Sequence, residues 1–178
     1  MAADSAVAAD FIASYTLNVT LAGAGGGTVT SDGGSLSWNN NVGTATYTYN
    51  RLVTLTAWPD AGSALGGWSG EGCSGAGTCS VTMDSNRAVT ATLNVVPRAR
   101  IGAIPYGTLN NAYNAVTGGI IEAKALIFSE NLILERGIYF TLKGGFADDY
   151  QSRIGYTTLD GNLTIGRGGL TVEWLAVK

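Results

Sequence analysis

Cys73 and Cys79 are the two cysteines of this 178-residue chain, and their spacing allows a metal site, a redox pair or a disulfide. A structural zinc site needs four ligands, commonly cysteine or histidine, and the chain has no histidine and no third cysteine. Redox pairs usually have C-x-x-C spacing and a group that lowers a thiol pKa, whereas five residues separate these two. The pattern favours a disulfide-closed loop, which persists in an oxidising compartment and so predicts export.

Other residues that could carry out chemistry are few. A nucleophilic triad that depends on histidine is excluded by composition, and the run GAGGGT (23–28) lacks the Lys-Ser/Thr of a phosphate-binding loop. Asp148 and Asp149 are adjacent carboxylates that could bind Ca²⁺ or serve a polysaccharide-cleaving site, but the glycines before them favour a solvated turn. Asp84, in the run MDSNR, is likewise predicted to be a turn residue. We therefore predict no catalytic residue, no metal site and no cofactor.

The four tryptophans are the remaining candidates for ligand contact, because an exposed indole ring can stack on a sugar. Trp38 lies in the polar run SLSWNNN and is predicted to be an exposed contact. Aromatic side chains are more often core or half-exposed strand residues than ligand contacts, and Trp58 and Trp68 are predicted to be core residues.

The net charge and the hydropathy of the chain argue against nucleic acid and membrane as partners. Residues 1–97 carry two basic and six acidic side chains, and residues 98–178 carry eight and seven, so nucleic-acid binding is not expected. No apolar run approaches the roughly 20 residues that a membrane-spanning helix needs. The N-terminal sequence MAADSAVAADFIAS lacks the basic region and the long apolar core of a secretory signal peptide. We expect the signal of an exported protein to be missing from this sequence.

The pattern of apolar residues predicts an all-β fold. Residues 1–14 are Ala-rich and predict a flexible lead, and residues 15–96 contain short alternating runs that predict a small antiparallel module. Residues 97–100, with Pro97, are predicted to be a linker.

Residues 101–178 begin with the one helical pattern and continue as short strands. Leu109, Ala112, Tyr113 and Val116 share one face of a helix near 108–117, with Thr108 as the N-cap. The strands that follow are separated by tight turns, which is typical of stacked solenoid rungs or of an antiparallel meander. The alternation near the end places Leu170, Val172, Trp174 and Ala176 on one face.

The first module resembles the divergent internalin-type B-repeats of bacterial surface proteins. The resemblance is carried by GGGTVTS (25–31) and by VTLTAWPDAGSALGGWSGEGCSGAGTCSVTMDSNRAVTATL (53–93). It implies a small β-rich module used as a spacer, stalk or adhesive unit on exported proteins.

The second module resembles the opening rungs of right-handed parallel β-helix, pectin-lyase-like proteins. The matching runs are YGTLNNAYNAV (106–116), ENLILERGIYFTLKGGF (130–146) and TTLDGNLTIGRGGLTVEWLAVK (157–178). The resemblance implies a short β-helix-like module whose helix covers its first rung.

Together these features predict a non-enzymatic, exported bacterial surface or extracellular protein with a structural or interaction role. An unpaired last rung recruits another strand, so we expect either further rungs after Lys178 or self-association, with other surface proteins as partners too. The alternative is a polysaccharide-binding or carbohydrate-active fragment, and a redox role for the cysteine pair is a third, weaker hypothesis.

Overall fold

The computed structural model describes residues 12–178. Most of the predicted N-terminal lead, residues 1–11, lies outside the described residues, and Ser14 already begins the first strand. The described part contains eighteen strands and a single short helix, which confirms the all-β prediction.

Contacts group the chain into two units. The first contains residues up to Gly23, together with Gly27–Trp58 and Leu65–Leu93. The second contains Ala24–Gly26, Pro59–Ala64 and Asn94–Lys178.

The first unit is built from eight strands. They are β1 Ser14–Ala22, β2 Gly27–Ser31, β3 Ser37–Asn39, β4 Val42–Thr48, β5 Leu52–Pro59, β6 Ser63–Ser69, β7 Cys79–Thr82 and β8 Arg87–Val95. They form a five-stranded sheet in the order β3-β4-β1-β8-β6 and a three-stranded sheet in the order β2-β5-β7. Alternate side chains such as Leu17 and Val19 in the larger sheet and Val53 and Leu55 in the smaller one are buried, as the two-residue period predicts.

Strand direction in this unit corrects the sequence-based prediction. An antiparallel module was expected, and β1 does pair antiparallel with β4, but it pairs in parallel with β8, placing Val19 beside Val89. Parallel neighbours need a long crossover connection. The chain provides one, because β2 to β7 lie between these two strands and three of them form the other sheet.

The second unit contains the helix and the remaining strands. They are β9 Ala99–Ile101, β10 Ile104–Tyr106, α1 Leu109–Ala115, β11 Gly119–Lys124, β12 Ile127–Phe128, β13 Leu132–Leu134, β14 Tyr139–Phe146, β15 Thr157–Leu159, β16 Leu163–Ile165, β17 Gly169–Glu173 and β18 Leu175–Val177. Ala99 and Arg100, which were predicted to lie in a linker, belong to β9 instead, because they pair with Ala123 and Glu122 of β11.

Successive rungs of this unit stack through parallel ladders. β11, β14 and β17 form one ladder, β12, β15 and β18 a second, and β13 and β16 a third. Parallel pairing between consecutive three-strand segments is the arrangement of a solenoid, and it excludes the antiparallel meander that the sequence left open.

The helix packs on the core of the first rung. Thr108 is its N-cap and accepts a hydrogen bond from the Asn111 backbone N–H, as predicted. Glu130, from the loop before β13, accepts bonds from the backbone N–H groups of Leu109 (2.8 Å) and Asn110 (3.0 Å). Two of the N–H groups that a helix start leaves free therefore meet a carboxylate.

Candidate interaction surfaces

The two cysteines close a glycine-rich loop between β6 and β7. A disulfide joins Cys73 to Cys79, with the Cα atoms 5.3 Å apart, and Cys79 is buried in the core of the first unit. The loop also binds Trp68, whose indole N–H donates to the Gly77 carbonyl (2.7 Å) and whose backbone N–H donates to the Gly75 carbonyl (2.9 Å). Trp68 is 5% exposed, so it is the core residue that the sequence predicts.

An ion-pair network lies beside this loop. The Arg87 guanidinium binds the carboxylates of Glu71 and Asp84. The hydrogen bond from Arg87 lowers the pKa of Asp84 below its ordinary value, and the two carboxylates raise the pKa of Arg87. Asp84 therefore lies in a turn and is engaged with an arginine.

The other two tryptophans of this unit differ from each other in their environment. Trp38 is 37% exposed and lies on the edge strand β3, where its ring covers the Cα of Gly43. Trp58 is 59% exposed, so the prediction that it belongs to the core is wrong. The reason is its position in β5: Val53 and Leu55 face the core, and Trp58 falls on the opposite set of alternate residues.

The adjacent carboxylates Asp148 and Asp149 lie in the turn after β14. Asp148 forms an ion pair with Lys124 (3.0 Å), and Asp149 accepts a bond from the Gln151 backbone N–H (2.9 Å). The second bond is typical of an Asx turn.

The last rung exposes residues whose equivalents in the preceding strands are buried. In register, Ile165 lies above Leu134, Val172 above Leu142 and Val177 above Leu159. The upper residues are 51%, 48% and 49% exposed, whereas the lower ones are 1%, 1% and 0% exposed. Inward-facing side chains thus form an apolar end face on β16, β17 and β18.

Trp174 changes which residues contribute to that face. It has a φ of 58°, in the left-handed region, and forms a one-residue corner between β17 and β18. The corner interrupts the alternation, so the predicted grouping of Leu170, Val172, Trp174 and Ala176 is wrong. Leu170 and Leu175, on either side of the corner, both pack on the core.

A row of alternating charges crosses the sheet that contains β17. Glu122 lies beside Arg100 and Lys143, and Lys143 lies beside Glu173. Arg100 bonds to Glu122 (Nε–Oε2 2.6 Å), Lys143 lies 3.4 Å from Glu173, and Arg153 also bonds to Glu173 (2.9 Å). This row could not be identified from the sequence, because its residues are neighbours only once the register of the rungs is known.

Tyr150 lies beside this row and is an unusual buried residue. The Arg100 guanidinium lies over its ring, 4.3 Å from the centroid, and its hydroxyl has no hydrogen-bond partner among the described residues. Burial raises the pKa of Tyr150 to about 12.

Residues 17–97 match the divergent InlB B-repeat domain. That family suggests a bacterial surface-type domain, and the match agrees with the first predicted resemblance. No curated protein and no solved structure matches the chain. The pectin-lyase-like resemblance of residues 101–178 stays a prediction.

Helices that could cross a membrane are absent from residues 12–178, where the one helix has seven residues.

Proposed function

We propose that the protein is a non-enzymatic, exported bacterial surface or extracellular protein that associates with a second copy of itself through the rung formed by β16, β17 and β18. The B-repeat segment supports a surface location. The disulfide also supports export, because such bonds persist in oxidising compartments.

The observation that carries the proposal is the apolar end face. Its inward-facing residues continue the core of the second unit, but half of the surface of Ile165, Val172 and Val177 is exposed. Burying such surface contributes about 25 cal/mol per Å². Among the described strands, β17 is the edge of the ladder β11-β14-β17, and an edge strand is a template for pairing.

A second copy fits this edge because β17 is compatible with pairing to itself. When two β17 strands pair antiparallel around Thr171, Leu170 of each copy lies opposite Val172 of the other, so inward-facing apolar residues meet. Glu173 then lies opposite Gly169, which avoids placing like charges directly across the pair. One two-fold contact would extend the sheet and bury the apolar end face of both copies.

Light scattering coupled to size-exclusion chromatography tests the proposal. The wild-type chain is expected to shift from monomer to dimer as its concentration rises. Val172→Lys is expected to stay monomeric, because it places a charge on the inward-facing side of the pair.

Ile120→Lys is the matched control. Ile120 has similar exposure, 44%, but lies on β11, which is not an edge strand. It should dimerise like the wild type, and circular dichroism should show that both variants are folded. A wild-type chain that is monomeric at its highest soluble concentration, or equal loss of dimer in both variants, overturns the proposal.

A further inference from the structure

The outward-facing strand residues of the small sheet β2-β5-β7 are uncharged and rich in hydroxyl groups, and an Arg51–Asp32 ion pair (4.0 Å) lies at the end of β2. Alternation along the three strands places eight residues on the outward face, of which six carry hydroxyls. They are Thr28, Thr30, Leu52, Thr54, Thr56, Trp58, Ser80 and Thr82. We call this surface the Trp58 face.

Trp58 is held in place on this face. Its indole N–H donates to the Thr30 hydroxyl (3.1 Å) across the strand pair, which restricts rotation of the ring. Because the N–H is engaged, the 59% of Trp58 that is exposed offers mainly ring surface.

The register of β2 and β5 surrounds the ring with threonines. The Asp32 N–H donates to the Thr54 carbonyl (3.1 Å), and the Thr54 N–H donates to the Asp32 carboxylate (2.9 Å), so these two residues lie opposite each other. Counting back in steps of two along antiparallel strands places Thr30 opposite Thr56 and Thr28 opposite Trp58. An oriented aromatic ring therefore lies among the hydroxyl groups of this face.

We propose that the Trp58 face binds a neutral polysaccharide. A pyranose ring has an apolar C–H face that can lie on the indole, and hydroxyls at its edge that can exchange hydrogen bonds with Thr28, Thr30 and Thr56. The eight positions carry no charge and the neighbouring Arg51 is paired with Asp32, which disfavours uronic-acid or phosphate-bearing chains, since these bind basic side chains. A protein strand is not favoured on this face, because β5 is the central strand of the sheet, with β2 on one side and β7 on the other.

Affinity electrophoresis of the full chain in gels that contain a soluble polysaccharide tests this proposal. The panel consists of a mixed-linkage glucan, a xylan, a mannan and, as the anionic member, polygalacturonate. We expect at least one neutral member to retard the wild type more than polygalacturonate does. Trp58→Ala should raise the apparent Kd roughly tenfold or more, the scale of one lost aromatic contact. Thr30→Val, which removes the bond that orients the ring, should have a smaller effect in the same direction.

Trp38→Ala is the matched control, because it removes an indole of the same unit from a different surface. It should bind like the wild type. Binding that depends on Trp38 and not on Trp58, strongest retardation by polygalacturonate, or no retardation by any neutral member overturns the proposal. Val172→Lys should still bind, so failure of this proposal and failure of self-association can be told apart.

Discussion

Reduction of the Cys73–Cys79 disulfide is expected to lower the free energy of unfolding by a small, calculable amount. The bond closes a loop with a sequence separation of 6. In the chain-entropy treatment, a closed loop of about seven residues contributes roughly 2 kcal/mol at 25 °C. The two hydrogen bonds from Trp68 to Gly75 and Gly77 do not involve sulfur and should survive reduction. The first unit should therefore stay folded.

Urea unfolding of the oxidised and the reduced wild type, followed by tryptophan fluorescence, measures this difference. Thiol titration should first show that both cysteines are free after reduction. A double variant, Cys73→Ala with Cys79→Ala, is the control, since the reductant should not change its unfolding midpoint. An unchanged wild-type midpoint after complete reduction would refute the entropic argument. A loss of stability beyond about 4 kcal/mol would show instead that the bond maintains the packing of the loop.

Two further predictions concern the second unit, and both are measured by urea unfolding. Glu130→Gln leaves a single side-chain oxygen to accept bonds from Leu109 and Asn110, so it should lower the free energy of unfolding by about 1–2 kcal/mol. Glu135→Gln, in an exposed loop, is the control and should lower it by less than about 0.5 kcal/mol. Equal effects of the two variants would contradict the capping role of Glu130. Tyr150→Phe removes a buried hydroxyl without a partner, so it should leave stability near pH 7 unchanged or raise it by about 1 kcal/mol. The pKa of Tyr150 is about 12 in the folded chain and near 10 when unperturbed. As the pH rises from 10 to 12, the wild type should therefore lose the stability that this pKa difference contributes, and the variant should not. An identical pH profile of stability for the two proteins would contradict the burial of Tyr150.

Local features of the fold could be predicted from the sequence because they depend on neighbours along the chain. The start of α1 at Leu109 follows from Thr108 and from the spacing of the apolar residues. The burial of Val53 and Leu55 follows from alternation. The same alternation contained the signal that Trp58 faces outward, and the general tendency of aromatic side chains to lie in a core was wrongly given more weight than its position.

Long-range features could not be predicted, because no local pattern encodes them. The parallel pairing of β1 with β8 joins strands at opposite ends of the first unit. The charge row depends on the register between Glu122, Lys143 and Glu173, which different loop lengths separate. The left-handed corner at Trp174 was hidden for another reason: tryptophan carries no conformational signal of the kind that glycine gives.

The Trp58 face and the apolar end face differ in composition, and this difference explains why each is expected to select a different ligand. The Trp58 face is polar but uncharged, so water solvates its hydroxyls well and only the indole ring gains from being covered. A ligand that covers it must therefore return hydrogen bonds to the threonines, as a sugar can. The apolar end face gains from any contact that excludes water, and its free strand edge adds directional hydrogen bonds that select a β-strand. The effect of salt should separate the two surfaces further, because Glu173 of the charge row belongs to β17, whereas the eight residues of the Trp58 face carry no charge. Raising the ionic strength should therefore alter self-association and leave polysaccharide binding unchanged.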